Sequence, residues 1–252
     1  MLGLLQGVLE WLPVSSQGNL VLLAITLLGL EPSYAITFSV YLHVGTGLAA
    51  LVYFRREVAR IIMLGSEDDR RLFQFLATAT FVTGVVGYPL FAFVELASLY
   101  GEALLALTGV ALLATGLMQK GKESRENPPP NGLGHKDGLI LGVVQGLAVI
   151  PGLSRSGVTT TALLIKGFQG KEAFRLSFLM SIPAVFAAAA GLAIVEGGPP
   201  IDVGILVALV ASFISALASI DLLIKLAQRT RFWKLCIILG IIALVAVLPS
   251  FF

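Results

Sequence analysis

Apolar residues run together in long blocks along this chain, and the polar residues between them cluster rather than alternate. A helix that crosses the hydrocarbon core of a bilayer needs about 20 predominantly apolar residues. Six blocks fit: Ala35–Phe54, Leu72–Val94, Glu102–Met118, Ala173–Val195, Val203–Ala227 and Phe232–Phe251. Two further stretches are interrupted. Leu2–Leu12 and Asn19–Leu30 flank the turn Pro13-Val14-Ser15-Ser16-Gln17-Gly18. Gly138–Ile150 and Val158–Lys166 flank Pro151-Gly152-Leu153-Ser154-Arg155-Ser156-Gly157. Each arm makes roughly 17–20 Å of helix, too short for a core of ~30 Å. Each pair therefore reads as a re-entrant hairpin that dips in and returns to its own side. Its polar turn then sits at membrane depth, which is tolerated only where protein or a water-filled cavity surrounds it.

The two interrupted stretches are alike. Gln6-Gly7-Val8-Leu9 matches Gln145-Gly146-Leu147-Ala148, and Pro13 and Ser16 match Pro151 and Ser154. The last offset also pairs Ser39 with Ser177. The expected organisation is a first repeat over 1–118 (hairpin 2–30 and three spans), a polar linker over 119–137, and a second repeat over 138–252 (hairpin 138–166 and three spans). Three is an odd number of spans, so the second copy enters from the opposite face. The expected fold class is an all-α integral membrane protein built as an inverted-topology repeat, with broken elements meeting near the midplane.

Composition and charge agree with this reading. Of 252 residues, 57% are hydrophobic and 13% charged, against about 25% charged in soluble domains. A soluble globule and a disordered chain are both excluded. A net charge of +2 gives no reason to expect nucleic acid. The single cysteine, Cys236, allows no internal disulfide. The first residues carry neither a basic stretch nor a small-residue cleavage site, so they do not read as a standard signal peptide. Sixteen of the 17 Lys and Arg fall in the loops around 55–71, 119–137, 166–172 and 228–231 or at span ends facing them. Glu31, Glu95, Glu102, Glu196 and Asp202 fall on the other side. The positive-inside rule makes the basic side cytoplasmic and places both termini outside. Hairpin one then enters from outside and hairpin two from the cytoplasm. His135, in the linker, reads as solvated.

Four ionisable residues remain within the membrane: Glu10, Arg155, His43 and Asp221. Asp221 has Lys225 one helical turn on, and an ion pair at the inner boundary accounts for it. Glu10 and Arg155 sit beside the polar turns, where a charge costs roughly 2.5–3.5 kcal/mol even on the lenient insertion scale. They predict a cavity holding Glu10, Ser15, Ser16, Gln17 and Asn19 from one face and Ser154, Arg155 and Ser156 from the other. A purely structural Glu10–Arg155 pair locking the halves is the other reading. Arg155 is a planar, permanent cation suited to phosphate. The Ser154-Arg155-Ser156-Gly157 segment opens a short helix whose N–H groups and dipole favour the same anion. Gly152 and Gly157 would let backbone approach a ligand closely. Gln6 and Glu10 share one helix face and could hold a divalent cation through oxygen, or Glu10 could act as a base. Ser16 is a candidate nucleophile, although Ser15 and Ser16 could equally cap the next helix. His43 is either a hydrogen-bonded structural histidine or a second layer behind the site with a proton-transfer role.

At these residues the chain resembles the undecaprenyl-diphosphatase family, also known as bacitracin-resistance proteins. Four stretches carry the resemblance: residues 6–16, His43-Val44-Gly45-Thr46, residues 151–157, and Ser177-Phe178-Leu179-Met180-Ser181-Ile182-Pro183. It implies a hydrolase of the cell membrane that removes the terminal phosphate of a polyprenyl diphosphate, leaving the monophosphate carrier. It also implies a divalent cation (Mg or Ca) and a site opening toward the outer face. The family's [E/Q]-x-x-x-E motif falls on Gln6 and Glu10, its phosphate-binding arginine on Arg155 with Ser154 beside it, and its nucleophile-candidate serine on Ser16. Bacterial members typically have histidine where this chain has Asn19, and asparagine cannot transfer a proton near neutral pH. Glu10, His43 or water must then do that work. The partners implied are the polyprenyl diphosphate lipid, its tail lying between spans, and the bilayer. A homodimer is left open. Inverted repeats also suit a transporter or flippase of polyprenyl phosphate or a small anion, which is the alternative function. A lipid-binding relative without turnover is the third reading.

Overall fold

A computed structural model describes residues 1–98, 101–120, 133–196, 203–227 and 233–247. Among them are eleven helices and no strand. They are α1 (Leu2–Leu9), α2 (Ser16–Thr26), α3 (Pro32–Tyr53), α4 (Arg55–Met63), α5 (Glu67–Ser98), α6 (Gly101–Gln119), α7 (His135–Leu147), α8 (Arg155–Ile165), α9 (Gly170–Glu196), α10 (Val203–Ala227) and α11 (Trp233–Val247). Four segments are long and apolar enough to cross a membrane: Pro32–Tyr53, Glu67–Val94, Gly170–Val195 and Val203–Leu222. Helices α6 and α11 carry shorter apolar stretches, Ala106–Met118 and Cys236–Val245. Large apolar side chains such as Phe81, Val85, Ile140, Val207, Ile214 and Ile241 are exposed on the flanks. An apolar surface of that extent needs lipid, not water, against it.

Both interrupted stretches form helix–turn–helix pairs, α1–α2 and α7–α8. The turns are longer than the sequence suggests on one side and shorter on the other: α1 stops at Leu9 and α2 starts at Ser16. Side-chain capping explains the early starts. The Ser15 hydroxyl accepts from Gly18 N–H at 3.2 Å and the Ser154 hydroxyl from Gly157 N–H at 3.1 Å. Each satisfies an N–H that a helix start leaves unpaired. Two boundaries are corrected. His135, Lys136 and Asp137 open α7 rather than ending the linker, with the Asp137 carboxylate accepting from Gly134 N–H at 2.9 Å. Residues 121–132 of the linker lie outside the described residues. The 55–71 loop contains the nine-residue helix α4, whose Val58 and Ile61 turn into the core while its arginines face outward. His135 is exposed, as expected, and shares a hydrogen bond of 2.9 Å with Thr78. Asp221 and Lys225 pair at 2.7 Å. Of the acids expected on the outer face, Glu95, Glu102, Glu196 and Asp202 have side chains outside the described residues.

Glycine sets the deepest helix crossings. Helix α1 lies on α10, where a Cβ at Gly7 would come within 2.5 Å of the Ser212 carbonyl oxygen. Helix α7 lies on α5, where a Cβ at Gly142 would meet the Ala79 carbonyl oxygen at 2.7 Å. Helices α6 and α11 cross where Gly109 faces Gly240. Small residues at such crossings let backbones approach within the bilayer. Several of the main helix contacts correspond when the halves are exchanged: α1 on α10 answers α7 on α5, α2 on α3 answers α8 on α9, and α6–α11 and α3–α9 answer themselves, whereas the contacts of α6 with α2 and α8 have no counterpart of similar extent among the described residues. The main core gathers Trp11, Leu12, Ala49, Phe178 and Ile182 around the first turn. The Trp11 ring stands edge-on to Phe178, and its N–H donates to the Ala216 carbonyl at 3.0 Å.

Candidate active site

The two turns touch. A Cβ on Gly18 would lie 2.5 Å from the Gly152 nitrogen, so only glycine permits this approach. The Ser15 hydroxyl bridges them, accepting from Gly152 N–H at 3.1 Å as well as from Gly18. Ser15 is held in a left-handed conformation, φ 58°, a strained backbone for a non-glycine residue. From the other turn, the Ser156 hydroxyl donates to the Leu12 carbonyl at 3.1 Å. Thr115 of α6 braces the second turn, donating to Gly152 O at 3.1 Å and accepting from Ser154 N–H at 3.2 Å.

Glu10 lies under this junction, 6% exposed. Its Oε1 accepts from Arg155 Nη2. Its Oε2 accepts from Ser16 Oγ at 2.6 Å and from Gln6 Nε2 at 3.0 Å, and His43 Nε2 lies 3.3 Å away. His43 Nε2 is also 3.5 Å from Ser16 Oγ. The other ring nitrogen, Nδ1, lies 2.7 Å from the Ser39 carbonyl. A carbonyl only accepts, so Nδ1 carries a proton and Nε2 is the nitrogen free to exchange one. Arg155 is fixed in the same way, Nη1 donating to the Ser177 carbonyl at 3.2 Å. Ser39 and Ser177, paired by the sequence offset, thus each offer a carbonyl to a side chain at the site, the His43 ring and the Arg155 guanidinium.

A cavity of about 400 Å³ opens from this cluster between the turns and α3, α5 and α9. Glu10, Ser15, Ser16, Gln17, His43, Ser154, Arg155 and Ser156, all singled out from sequence, line it. Asn19 and Gly157 do not. Asn19 Nδ2 donates to the Val14 and Ser15 carbonyls, both at 2.8 Å, and so holds the turn instead of facing the cavity. The Gly157 N–H is taken by the Ser154 cap. Gln6 lies behind Glu10, fully buried. The sequence reading missed Thr80, Thr83, Gln145 and Ser181, which also line the cavity. Gln145, donating to Thr83 at 3.1 Å, carried a signal, since it is the repeat counterpart of Gln6.

A divalent cation can be tested against these residues. Gln6 Oε1 is buried with no hydrogen-bond partner, and amide and carboxylate oxygens are the hard donors such ions prefer. Among the described residues no group of three or more His, Cys, Asp or Glu gathers. Gln6 turns its Nε2 to Glu10 and lies outside the cavity lining, and both Glu10 oxygens already accept hydrogen bonds, so the pair would hold a cation only with the Gln6 amide turned over and with phosphate oxygens and water completing the shell.

A family model described as Bacitracin resistance protein BacA matches residues 1–243. The chain is 41% identical to an "Undecaprenyl-diphosphatase" of Methanococcoides burtonii, over 96% of this chain and 95% of that protein. It is 39% identical to one of Haloarcula marismortui, over 95% and 93%. With one of Saccharolobus solfataricus the identity is 35%, over 98% and 93%.

Proposed function

The chain belongs to the bacitracin resistance protein BacA family and is an integral membrane phosphatase acting on undecaprenyl diphosphate; we propose that Ser16, Glu10 and Arg155 are the residues that carry the reaction. The observation that supports this most directly is the Ser16 hydroxyl donating to the buried Glu10 carboxylate at 2.6 Å, with Arg155 on its other oxygen. The Arg155 guanidinium has five N–H donors and gives one to Glu10 and one to Ser177. Those remaining bind the terminal phosphate, and Ser154, Ser156, Ser15 and Gln17 shape its pocket. The Ser16 oxygen attacks the terminal phosphorus as its proton passes to Glu10. The bond to the bridging oxygen breaks, and the lipid monophosphate leaves. Water then cleaves the phosphoserine, giving inorganic phosphate and restoring the hydroxyl. Direct attack by a water held at Glu10 is the variant of this route. His43 stands behind both, with Nε2 near Ser16 and Glu10, and takes the place of the histidine that Asn19 replaces. Gln6 and Glu10 are the residues that would hold a divalent cation, which when bound would neutralise charge on the transferring phosphoryl group.

In the membrane, α3, α5, α6, α9, α10 and α11 are the six spans, and α1–α2 and α7–α8 are re-entrant hairpins entering from outside and from the cytoplasm. The halves 1–118 and 138–252 are inverted repeats; the correspondence of the main helix contacts supports this. Both termini and the mouth of the site face outward, and the basic loops are cytoplasmic. The deciding experiment measures phosphate release from polyprenyl diphosphates by detergent-purified protein, with EDTA and with Mg²⁺ or Ca²⁺ restored. Metal-dependent release that Ser16→Ala, Glu10→Ala and Arg155→Ala each abolish is the expected result. Unchanged turnover in Ser16→Ala removes the serine route. Lipid binding without any release moves the function to transport or to binding alone.

A further inference from the structure

The cavity does not end at the polar cluster. It continues outward between α5 and α9, and its lining changes along both helices in the same sense. On α5 the order is Thr80 and Thr83, then Gly84 and Gly87, then Phe91 and Ala92. On α9 it is Ser181, then Ala184 and Ala188, then Gly191 and Leu192. Hydroxyls stand at the site end and mostly apolar groups beyond them, with Gly84, Gly87 and Gly191 set among Tyr88, Phe91, Val185 and Leu192. The stripes recur every three or four residues, so each is one face of its helix. They run in parallel for about 16 Å.

Two of these glycines do not serve helix packing. A Cβ added to Gly84 or Gly191 meets nothing within 4 Å. That sets them apart from Gly142 and Gly7, where it would collide with a neighbouring backbone. Their smallness keeps space open rather than bringing helices together. The other half of the molecule supplies the comparison. Its corresponding pair, α3 and α10, is closed: a Cβ at Gly45 would meet the Leu209 carbonyl oxygen at 2.7 Å, and Ser212 Oγ donates to the Leu42 carbonyl at 3.0 Å. Helices α5 and α9 also pack together, through Phe75, Ala79, Leu176 and Met180, but past that cluster they flank the cavity where α3 and α10 stay close.

We propose that the trough between α5 and α9 is the seat of the substrate's isoprenoid chain next to the diphosphate, and that Gly84 and Gly191 determine which chains are accepted. This rests on the phosphatase reading for the position of the diphosphate. The occupant follows from continuity: the trough starts at the Ser16–Arg155 cluster, is mostly apolar beyond the hydroxyls of Thr80, Thr83 and Ser181, and is flanked by exposed Tyr88, Ala187 and Ala188. A lipid reaches it sideways from the bilayer without leaving hydrocarbon. At about 400 Å³ the whole cavity holds the headgroup and the first isoprene units only, and the rest of a long chain stays among the lipids.

The test is cysteine protection in the full-length protein, whose own Cys236 is buried. Gly84→Cys and Gly191→Cys are labelled with a membrane-permeant maleimide, with Phe81→Cys as the control on an exposed α5 face outside the trough. Farnesyl diphosphate is expected to slow labelling at both trough positions and not at the control, and inorganic pyrophosphate to slow none. Equal labelling with and without farnesyl diphosphate at both trough positions overturns the proposal. Protection needs no turnover, so it survives failure of the phosphatase reading and that failure shows separately as absent phosphate release. In a second arm, Gly84→Leu and Gly191→Leu fill open space and leave the fold intact. They are expected to lower kcat/KM for farnesyl diphosphate by at least about 10-fold, the scale on which apolar pockets discriminate, chiefly through KM. Unchanged kcat/KM in both also overturns it.

Discussion

Glu10 and Arg155 come from different hairpins, 145 residues apart in sequence, and form an ion pair beneath the junction of the two turns. The two turns differ in charge at positions that the sequence offset pairs. The first has Glu10 where the second has Ala148 and Val149, and the second has Arg155 where the first has Gln17. Neither hairpin alone holds a complete site.

The pair separates a locking role from a chemical one. Removing one partner of a buried ion pair leaves the other uncompensated, which typically costs about 3–5 kcal/mol. Glu10→Gln and Arg155→Met are each expected to lower the unfolding midpoint in detergent by that order. The double variant should lose less than the sum, because no buried charge is stranded. All three should fail to release phosphate. A double variant that regains both stability and turnover would reduce the pair to a structural lock.

Asn19 occupies the position where a histidine is typical of bacterial relatives, and here it serves the turn. Its amide satisfies the Val14 and Ser15 carbonyls. At roughly 0.5–1.5 kcal/mol for each hydrogen bond, Asn19→Ala should destabilise the protein by about 1–3 kcal/mol. The rate per folded molecule should hold. Asn19→His should not raise kcat, since the turn carbonyls claim the side chain at that position. Thermal unfolding run beside single-turnover assays separates the two effects, and a faster Asn19→His enzyme would return a chemical role to the position.

The long apolar helices and the two helix–turn–helix pairs were legible because a bilayer leaves few options: apolar length sets the element, and polar residues at depth need a reason. Glu10, Ser16 and Arg155 stood out for that reason. Asn19 misled, because sequence shows that a polar group lies deep but not that its own backbone consumes it. Helix α4 was hidden in a basic loop: five of its nine residues are apolar and the segment is amphipathic, but its three arginines and its shortness made it read as a connection between spans. Gln145 and Thr83 were missed because an amide and a hydroxyl are ordinary within an apolar run. The trough was missed for a further reason. Gly84 and Gly191 have the same one-letter pattern as the glycines of the helix crossings, and only the third dimension shows that they face open space.

That contrast gives a prediction about stability. At Gly7 and Gly142 the added Cβ would press on backbone oxygen across a helix crossing, so the helices must separate. Gly7→Ala and Gly142→Ala are expected to destabilise by about 1–3 kcal/mol, the usual scale for overpacking. Gly84→Ala and Gly191→Ala should be neutral, or slightly stabilising through higher helix propensity. Urea or thermal melts of the four purified variants check this, and equal losses at all four would mean that the open space is filled by packing in the bilayer.

Ser16, Glu10 and His43 touch one another, with Ser16 Oγ 2.6 Å from Glu10 and 3.5 Å from His43 Nε2. Groups that act as a unit show non-additive losses. His43→Gln keeps polarity and a donor but has no group that exchanges a proton, so kcat should fall by about 10²–10⁴-fold, the range for a positioned acid or base. KM should change little, because Arg155 and the turn serines, not the imidazole, bind the phosphate. Ser16→Ala should cost at least as much. The double variant should be no slower than the worse single one, since His43 has nothing left to serve once the hydroxyl is gone. If the two losses multiply instead, His43 acts on a step that does not involve Ser16, and the water route at Glu10 becomes the better account of the reaction.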